Sequence, residues 1–262
     1  MAQLRKNSDI KDIVLFLLLS FGLPFICVLL VKNIRAFQSG WLNLILYGIE
    51  AMTPTLSALI VVWTLSGRQE TILFIKKCYR VNIKLFNILL AIAVPSLILT
   101  MTKLSSIMIG FGNGDIGATF TSKRLLIVLW ALIAEELGWR GFLQNKIDRR
   151  YGFPATPIMI GMIWALWHYH FFLLGTTTAP IILFLIGCIA ESFGYYWITK
   201  RAEGNILPAS IWHFIGNLLI NLFLLSPEYN KNSNIPYMIF VFYTTIMAII
   251  IYFRLQHSKR DE

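Results

Sequence analysis

The stretch Ala134-Glu-Glu-Leu-Gly-Trp-Arg-Gly141 decides how this sequence is interpreted, because it places three charged side chains inside an apolar run. The run extends from Leu125 to Leu143 and otherwise has the composition of a membrane-spanning helix. Charged groups near the centre of a bilayer are costly, and they usually face the interior of a helix bundle as paired or functional residues. The stretch therefore predicts a polar site inside a membrane-embedded bundle.

The spacing of the three charged residues suggests different roles for them. Glu136 and Arg140 are four residues apart, so they share one helix face and can form an ion pair. Glu135 is rotated by roughly 100° from Glu136, which leaves it free to point into a cavity. We interpret Glu136 and Arg140 as a structural ion pair and Glu135 as the carboxylate available for chemistry.

The composition of the whole chain agrees with a membrane protein. Of the 262 residues, 57% are hydrophobic and 14% are charged, and the mean hydropathy is +0.67, whereas soluble domains carry about 25% charged residues. The net charge of +10 arises from short basic segments between apolar runs, which argues against nucleic-acid binding. Cys27, Cys78 and Cys188 are scattered, without the spacing of a disulfide framework or a metal site.

A spanning helix needs about 20 mostly apolar residues, and this criterion predicts an all-α polytopic transmembrane bundle of about eight spans in a single domain, 1–262. The apolar run from Ile13 to Val31 could be a signal peptide, but it lacks a small-x-small cleavage site and is interpreted as an uncleaved first span. The predicted spans are 11–31, 41–66, 84–109, 122–145, 154–174, 179–199, 206–225 and 236–254.

The distribution of Lys and Arg predicts the orientation of these spans. Most basic residues lie before the first span, in every second loop and after the last span, and cytoplasmic loops are enriched in Lys and Arg. We therefore expect an integral protein of a bacterial cell membrane with both termini in the cytoplasm. The residues behind this expectation are Arg5, Lys6, Lys11, Arg68, Lys76, Lys77, Arg80, Lys84, Lys146, Arg149, Arg150, Lys200, Arg201, Arg254, Lys259 and Arg260.

Further polar residues inside predicted spans are candidates for the same site. His213 and Asn217 are four residues apart on one helix face, whereas His168 and His170 lie about 200° apart and cannot serve one site together. Periodicity does not decide between these two. A single buried histidine commonly bridges helices by a hydrogen bond. Glu135, His168, His213 and Asn217 lie on three separate spans, and together they favour a catalytic cluster.

Two more carboxyl groups, Glu50 and Glu191, lie in the second and sixth spans. Glu191 could line a substrate cavity, but we expect both to form hydrogen bonds between helices. Four tryptophans flank the polar residues, and we expect them to pack in the core or to anchor the protein at the membrane interface. They are Trp139, Trp164, Trp167 and Trp212.

Three motifs together resemble the CPBP family of intramembrane proteases, also called Abi, which comprises CAAX-prenyl endopeptidases and bacteriocin-processing or bacteriocin-immunity proteins. They are Glu135-Glu136-x-x-x-Arg140, Trp164-x-x-x-His168 and His213-x-x-x-Asn217, in this order on separate spans. The family-like core covers about 122–225. Trp164 stands where the family more often has phenylalanine.

The resemblance implies peptide-bond hydrolysis within the membrane, near the cytoplasmic side. Glu135 and His168 would activate the attacking water, and His213 and Asn217 would stabilise the oxyanion or help to bind a metal. The family is usually labelled as metalloproteases, so Glu135, His168 and His213 are candidate ligands for zinc. We favour a metal-free site, because the chain has no His-Glu-x-x-His motif and a glutamate base needs no metal.

The expected substrate is a membrane-associated peptide or a lipidated protein, as in CAAX-type, pheromone or bacteriocin processing. One alternative is a non-enzymatic immunity or sensor-kinase-binding protein, which would need a membrane protein partner but not Glu135. A second alternative is a proton-coupled transporter that uses Glu135 and the histidines as a relay. The absence of recognisable repeated halves in the sequence disfavours a transporter.

Overall fold

The computed structural model describes residues 2–117 and 121–258, with side chains described for 9–117 and 121–257. Within these ranges the chain is helical and contains no strand, as predicted. The helices are α1 (Ala2–Asn33), α2 (Gly40–Cys78), α3 (Leu85–Met108), α4 (Ser122–Ala134), α5 (Gln144–Tyr151), α6 (Ala155–Trp167), α7 (Tyr169–Leu173), α8 (Ile181–Arg201), α9 (Leu207–Leu222) and α10 (Ile235–Ser258).

Among the described residues, six helices are long and apolar enough to cross a membrane. They are α1, α2, α3, α8, α9 extended to Tyr229, and α10. The predicted fourth and fifth segments are not continuous helices, which hydropathy alone does not reveal. The fourth breaks after Ala134, continues as a π-helical turn over Leu137–Leu143 and ends as α5, and the fifth breaks at His168 between α6 and α7.

Each break has a local cause. At Glu135 the backbone leaves helical geometry, with φ −120°, and both Gly138 N–H and Trp139 N–H donate to the Glu135 carbonyl. At His168 the ring Nδ1 lies 2.8 Å from the Trp164 carbonyl oxygen. This carbonyl would accept the His168 backbone N–H in a continuous α-helix, but that N–H donates to Ala165 instead. Two candidate side chains thus sit where the helices are interrupted.

Helix α2 is longer than the predicted second span, which ends at residue 66. The helix is kinked at Gly67, whose φ of +83° lies in the left-handed region that favours glycine, and it continues to Cys78. Beyond the kink, Thr71 and Cys78 are buried and the Phe74 ring meets the Phe142 ring edge-on. These contacts stabilise residues 67–78 as a helix, although the polar composition of this segment alone suggests an irregular loop.

Two glycines permit close helix contacts around the site. A Cβ on Gly138 would lie 2.4 Å from the backbone of Pro54, and a Cβ on Gly161 would lie 2.4 Å from Ile189 Cα. Small residues at such positions let membrane helices approach closely. Gly138 seats the π-helical turn against α2, and Gly161 seats α6 against α8.

One end of the bundle, named the basic end here, comprises α5 and the segments 79–84 and 202–206. Lys146 contacts both Asp9 and Asp12 of α1, and Lys200 on α8 lies 2.9 Å from Asp148 of α5. These ion pairs close the basic end and bring together most basic loops counted for the orientation. The side chains of Arg5 and Lys6, and residues Lys259 and Arg260, lie outside the described residues.

The opposite end, named the loop end here, comprises the segments 109–117, 174–180 and 223–234. Lys103 Nζ donates to the Asp115 and Phe223 carbonyls at 2.9 and 2.8 Å. Gly117 N–H donates to the Leu222 carbonyl at 2.8 Å. These contacts attach the segment 109–117 to the end of α9.

Candidate active site

A cavity of about 500 Å³ penetrates the bundle, a size typical of small-molecule or peptide-side-chain sites. All four predicted catalytic residues line it: Glu135, His168, His213 and Asn217. Its wall is otherwise largely apolar and aromatic. The aromatic members are Tyr47, Trp130, Trp164, Phe171, Phe184, Tyr195, Trp212, Tyr237 and Phe240.

Glu135 is held by two indole groups. Its Oε2 accepts a hydrogen bond from Trp164 Nε1 at 2.9 Å and one from Trp139 Nε1 at 3.2 Å. Trp139 reaches the carboxylate from the π-helical turn, and Trp164 reaches it from α6. Because Oε2 is engaged in this way, Oε1 is the oxygen that remains for chemistry.

Glu136 connects an arginine and a histidine. Its Oε1 lies 2.9 Å from Arg140 Nη1 and 2.8 Å from His213 Nδ1, and the side chains of Glu136 and Arg140 have no exposed surface. The Arg140 guanidinium lies over the Tyr195 ring at 3.9 Å and over the Trp164 ring at 4.8 Å. The aromatic faces add cation–π stabilisation in a desolvated setting.

His213 lies between the two carboxylates. A carboxylate only accepts hydrogen bonds, so His213 Nδ1 carries the proton that it donates to Glu136. The other ring nitrogen, Nε2, lies 4.0 Å from Glu135 Oε1. This distance is too long for a direct hydrogen bond. The carboxylate oxygen and the imidazole nitrogen therefore lie side by side at the cavity wall without a direct bond.

The structure distinguishes His168 from His170, which periodicity did not. His168 lines the cavity, and its Nδ1 bonds to the Trp164 carbonyl at 2.8 Å. This bond assigns the proton to Nδ1 and leaves Nε2 as an acceptor. His170 is fully buried outside the cavity lining, with its Nδ1 at 2.7 Å from the Trp167 carbonyl. Of these two histidines, only His168 is placed to contact a substrate in the cavity.

Asn217 lies one helical turn after His213 on α9, and both line the cavity. Glu191 of α8 accepts a hydrogen bond from Trp212 of α9 at 3.1 Å, so the expected bond between helices is present, and the residue lines the cavity as well. Glu50 differs from the expectation, because its side chain is buried and its Oε1 has no hydrogen-bond partner.

All four tryptophans are buried in the core, so the expectation of packing is confirmed and the alternative of interfacial anchoring is wrong for them. Sequence reasoning missed their hydrogen bonds. Three donate to carboxylates, and Trp167 donates to the Ser20 carbonyl and the Thr53 hydroxyl. One signal was available, since Trp139 is four residues after Glu135 and therefore faces the same side of the helix.

The candidate zinc ligands do not form a metal site in this geometry. Among the described residues, no group of three or more His, Cys, Asp or Glu side chains is arranged to hold a metal ion. The hydrogen bonds described above occupy Glu135 Oε2 and the Nδ1 atoms of His168 and His213, and a carboxylate or carbonyl partner on one ring nitrogen is also usual for a metal-ligating histidine. What disfavours a zinc ion is the spacing, because these side chains are not gathered around one point.

Comparison with known proteins places the site in a family context. The family model described as type II CAAX prenyl endopeptidase Rce1-like matches residues 117–219. A relative named CAAX prenyl protease 2, from Methanococcus maripaludis, is 27% identical over 157 residues, which cover 52% of this chain and 58% of that protein. The chain thus spans somewhat more than half the length of this curated relative.

Residues 117–219 contain all three motifs, together with the break at Glu135 and the break at His168. The predicted resemblance to the CPBP family of CAAX-type intramembrane proteases is thereby confirmed for the segment that builds the candidate site.

Proposed function

We propose that the protein is an intramembrane endopeptidase that uses Glu135 as its general base. The observation that carries the proposal is the placement of Glu135 and His213 on one cavity wall, with Nε2 of His213 4.0 Å from Oε1 of Glu135. The similarity to CAAX prenyl endopeptidases supports the same reaction class. The proposed substrate is a peptide segment of a membrane-associated chain, as in CAAX-type, pheromone or bacteriocin processing.

The first step is attack by water. One water molecule at about 2.8 Å from both Glu135 Oε1 and His213 Nε2 satisfies the observed separation. Glu135 takes a proton from this water while the oxygen attacks the scissile carbonyl carbon. The two indole donors hold the carboxylate, so that it does not rotate away from the water. Proton transfer by a positioned base of this kind typically contributes ~10²–10⁴-fold to the rate.

The second step is collapse of the tetrahedral intermediate. Its oxyanion needs hydrogen-bond donors, and the side-chain amide of Asn217 on the cavity wall is the neutral donor available. Glu135 then passes its proton to the leaving amine nitrogen, and the C–N bond breaks. The base is regenerated as a carboxylate, and the net reaction is hydrolysis of one peptide bond by one water.

Glu136 and Arg140 act as positioning residues in this scheme. Glu136 fixes the orientation of the His213 ring through Nδ1, and Arg140 keeps Glu136 charged in a site without exposed surface. This assignment goes beyond the sequence expectation of a purely structural pair, because Glu136 also contacts a proposed catalytic histidine. We therefore expect Glu136 substitutions to reduce activity as well as stability.

The test compares three isosteric variants, purified in detergent and incubated with a panel of membrane-tethered fluorogenic peptides. Glu135→Gln is expected to fold normally and to lose cleavage by at least 100-fold. Glu191→Gln is the matched control, because Glu191 is a cavity carboxylate that accepts from a different tryptophan, and it should retain cleavage within a few fold. Glu136→Gln should lose both activity and thermal stability. Full activity of Glu135→Gln would refute the proposal.

We further propose that the reaction needs no metal ion. Wild-type protein treated with 1,10-phenanthroline and then freed of the chelator by desalting should cleave at the untreated rate, and its zinc content should be far below one ion per chain. Activity that is lost on this treatment and restored by added zinc would contradict the metal-free proposal.

A further inference from the structure

The cavity extends from the candidate site toward the loop end of the bundle. Its lining residues come from the first half of α2, the middle of α3, α4, the end of α6, α8 between Phe184 and Tyr195, α9 from Trp212 onward and the start of α10. Most of these parts lie toward the loop end, and the lining reaches its inner limit near Tyr195, Trp212 and His213. The lining also includes residues of the loop end itself: Thr176, Thr177, Thr178, Ala179, Leu225, Ser226, Pro227 and Glu228.

The opposite route, from the site toward the basic end, is filled. Trp139, Leu143, Ile147 and Ile206 are buried at 2% exposure or less. Beyond this packed layer, the ion pairs of Lys146 and Lys200 tie α1, α5 and α8 together. Among the described residues, the cavity that contains Glu135 thus extends toward the loop end, whereas the layer toward the basic end is packed.

The two ends of the bundle also differ in the number of Lys and Arg residues. Described basic residues at or near the basic end are Lys11, Arg68, Lys76, Lys77, Arg80, Lys84, Lys146, Arg149, Arg150, Lys200, Arg201 and Arg254, whereas those toward the loop end are Lys32, Arg35, Lys103, Lys123, Arg124 and Lys231. An excess of Lys and Arg marks the cytoplasmic side of membrane proteins. The basic end is therefore assigned to the cytoplasm and the loop end to the outer side.

From these observations we infer that the site takes its substrate from the outer face of the membrane: the substrate is a polypeptide whose scissile segment has already crossed the bilayer or is anchored in its outer leaflet. This inference rests on the proposed function and specifies its substrate class. It differs from the expectation drawn from the family resemblance, which places cleavage near the cytoplasmic side. Hydroxyl-bearing side chains at the mouth, including Thr178 and Ser226, suit an extended peptide backbone.

The orientation is tested by cysteine labelling, independently of activity. The three native cysteines are buried, so the wild-type protein is the blank for a membrane-impermeant maleimide. Thr178→Cys places a thiol at the mouth, and Gln69→Cys places one on α2 beyond the kink at Gly67, in the part of α2 that leads to the basic end; both positions are exposed and uncharged. In intact cells Thr178→Cys should react and Gln69→Cys should not, whereas both should react after permeabilisation. The reverse pattern, or reaction of both variants in intact cells, would overturn the inference.

The side of cleavage is tested with two reporters that carry the same segment, one displayed outside and one inside the cell. The segment is the peptide that the detergent-purified enzyme cleaves fastest. The outside reporter should be cut in cells with wild-type protein and left intact with Glu135→Gln, and the inside reporter should stay intact with both. Cleavage of the inside reporter, or of neither, overturns the inference. If the purified protein cleaves no peptide at all, the proposed function fails, and the labelling result still decides the orientation.

Discussion

Replacing Arg140 by methionine tests whether the buried ion pair organises the site. Arg140 and Glu136 have no exposed surface, and their atoms lie 2.9 Å apart. Removing one member of a buried pair costs about 3–5 kcal/mol, because the other charge remains buried without compensation. We expect the upper part of this range, because Arg140 also stacks on Tyr195 at 3.9 Å, and a desolvated cation–π contact contributes about 2 kcal/mol. For a chain of this size, we expect the melting temperature to fall by about 10 °C or more.

The matched control removes both charges. In Glu136→Met/Arg140→Met, no unpaired charge is left in the core, and apolar replacement of a buried pair is often close to neutral for stability. The double variant should therefore be more stable than the sum of the single losses by about 2 kcal/mol or more, which a double-mutant cycle measures directly. It should still be inactive, because His213 Nδ1 loses its acceptor.

The assay is thermal unfolding in detergent, followed by intrinsic tryptophan fluorescence, together with cleavage of the best peptide of the panel. Two results would refute the reasoning. One is an Arg140→Met variant within about 1 kcal/mol of wild type, which would mean that the pair is not desolvated as the structure describes. The other is strict additivity in the cycle, which would mean that the two side chains do not interact.

Two further predictions concern the indole donors and the close helix contacts. Trp164→Phe keeps the ring but removes the 2.9 Å donor to Glu135; a hydrogen bond to a charged group contributes about 1.5–3 kcal/mol, so kcat should fall by roughly 10–100-fold. Trp212→Phe loses the same kind of bond to a different carboxylate, and an equal loss of kcat there would contradict this reading. Gly138→Ala should lose about 1–3 kcal/mol by overpacking. Gly22→Ala, whose Cβ meets nothing within 4 Å, should gain up to about 1 kcal/mol; unfolding curves that shift in the same direction for both would count against the packing argument.

Hydropathy and residue spacing predicted much of this molecule. Apolar runs located the long membrane-embedded helices, but not the second part of α2 or α5, because burial in lipid demands long apolar stretches with internally bonded backbones. The four-residue spacing of Glu136 and Arg140 predicted a contact that the structure contains, although the turn between them is π-helical. The spacing of His213 and Asn217 likewise placed two side chains on one cavity wall.

Other features depend on tertiary structure and had no signal in the sequence. Hydropathy measures burial and not helix continuity, so the breaks at Glu135 and His168 went unpredicted. The direction of an indole N–H depends on how neighbouring helices pack, and this direction makes Trp164 a donor to a carboxylate on another helix. The bond from His213 to Glu136, which links residues far apart in sequence, could not be predicted for the same reason.

The π-helical turn at Leu137–Leu143 constrains how this chain can change in length. A π-helical turn is a wider turn inserted in an α-helix, and removing one residue from it shifts everything beyond by about 100° around the axis. Glu135 faces the cavity before the turn, and Asp148 pairs with Lys200 after it. A one-codon deletion between them would force the chain to give up one of these contacts. Insertions and deletions should therefore accumulate in the loops of related chains and be absent from the interval between Glu136 and Asp148.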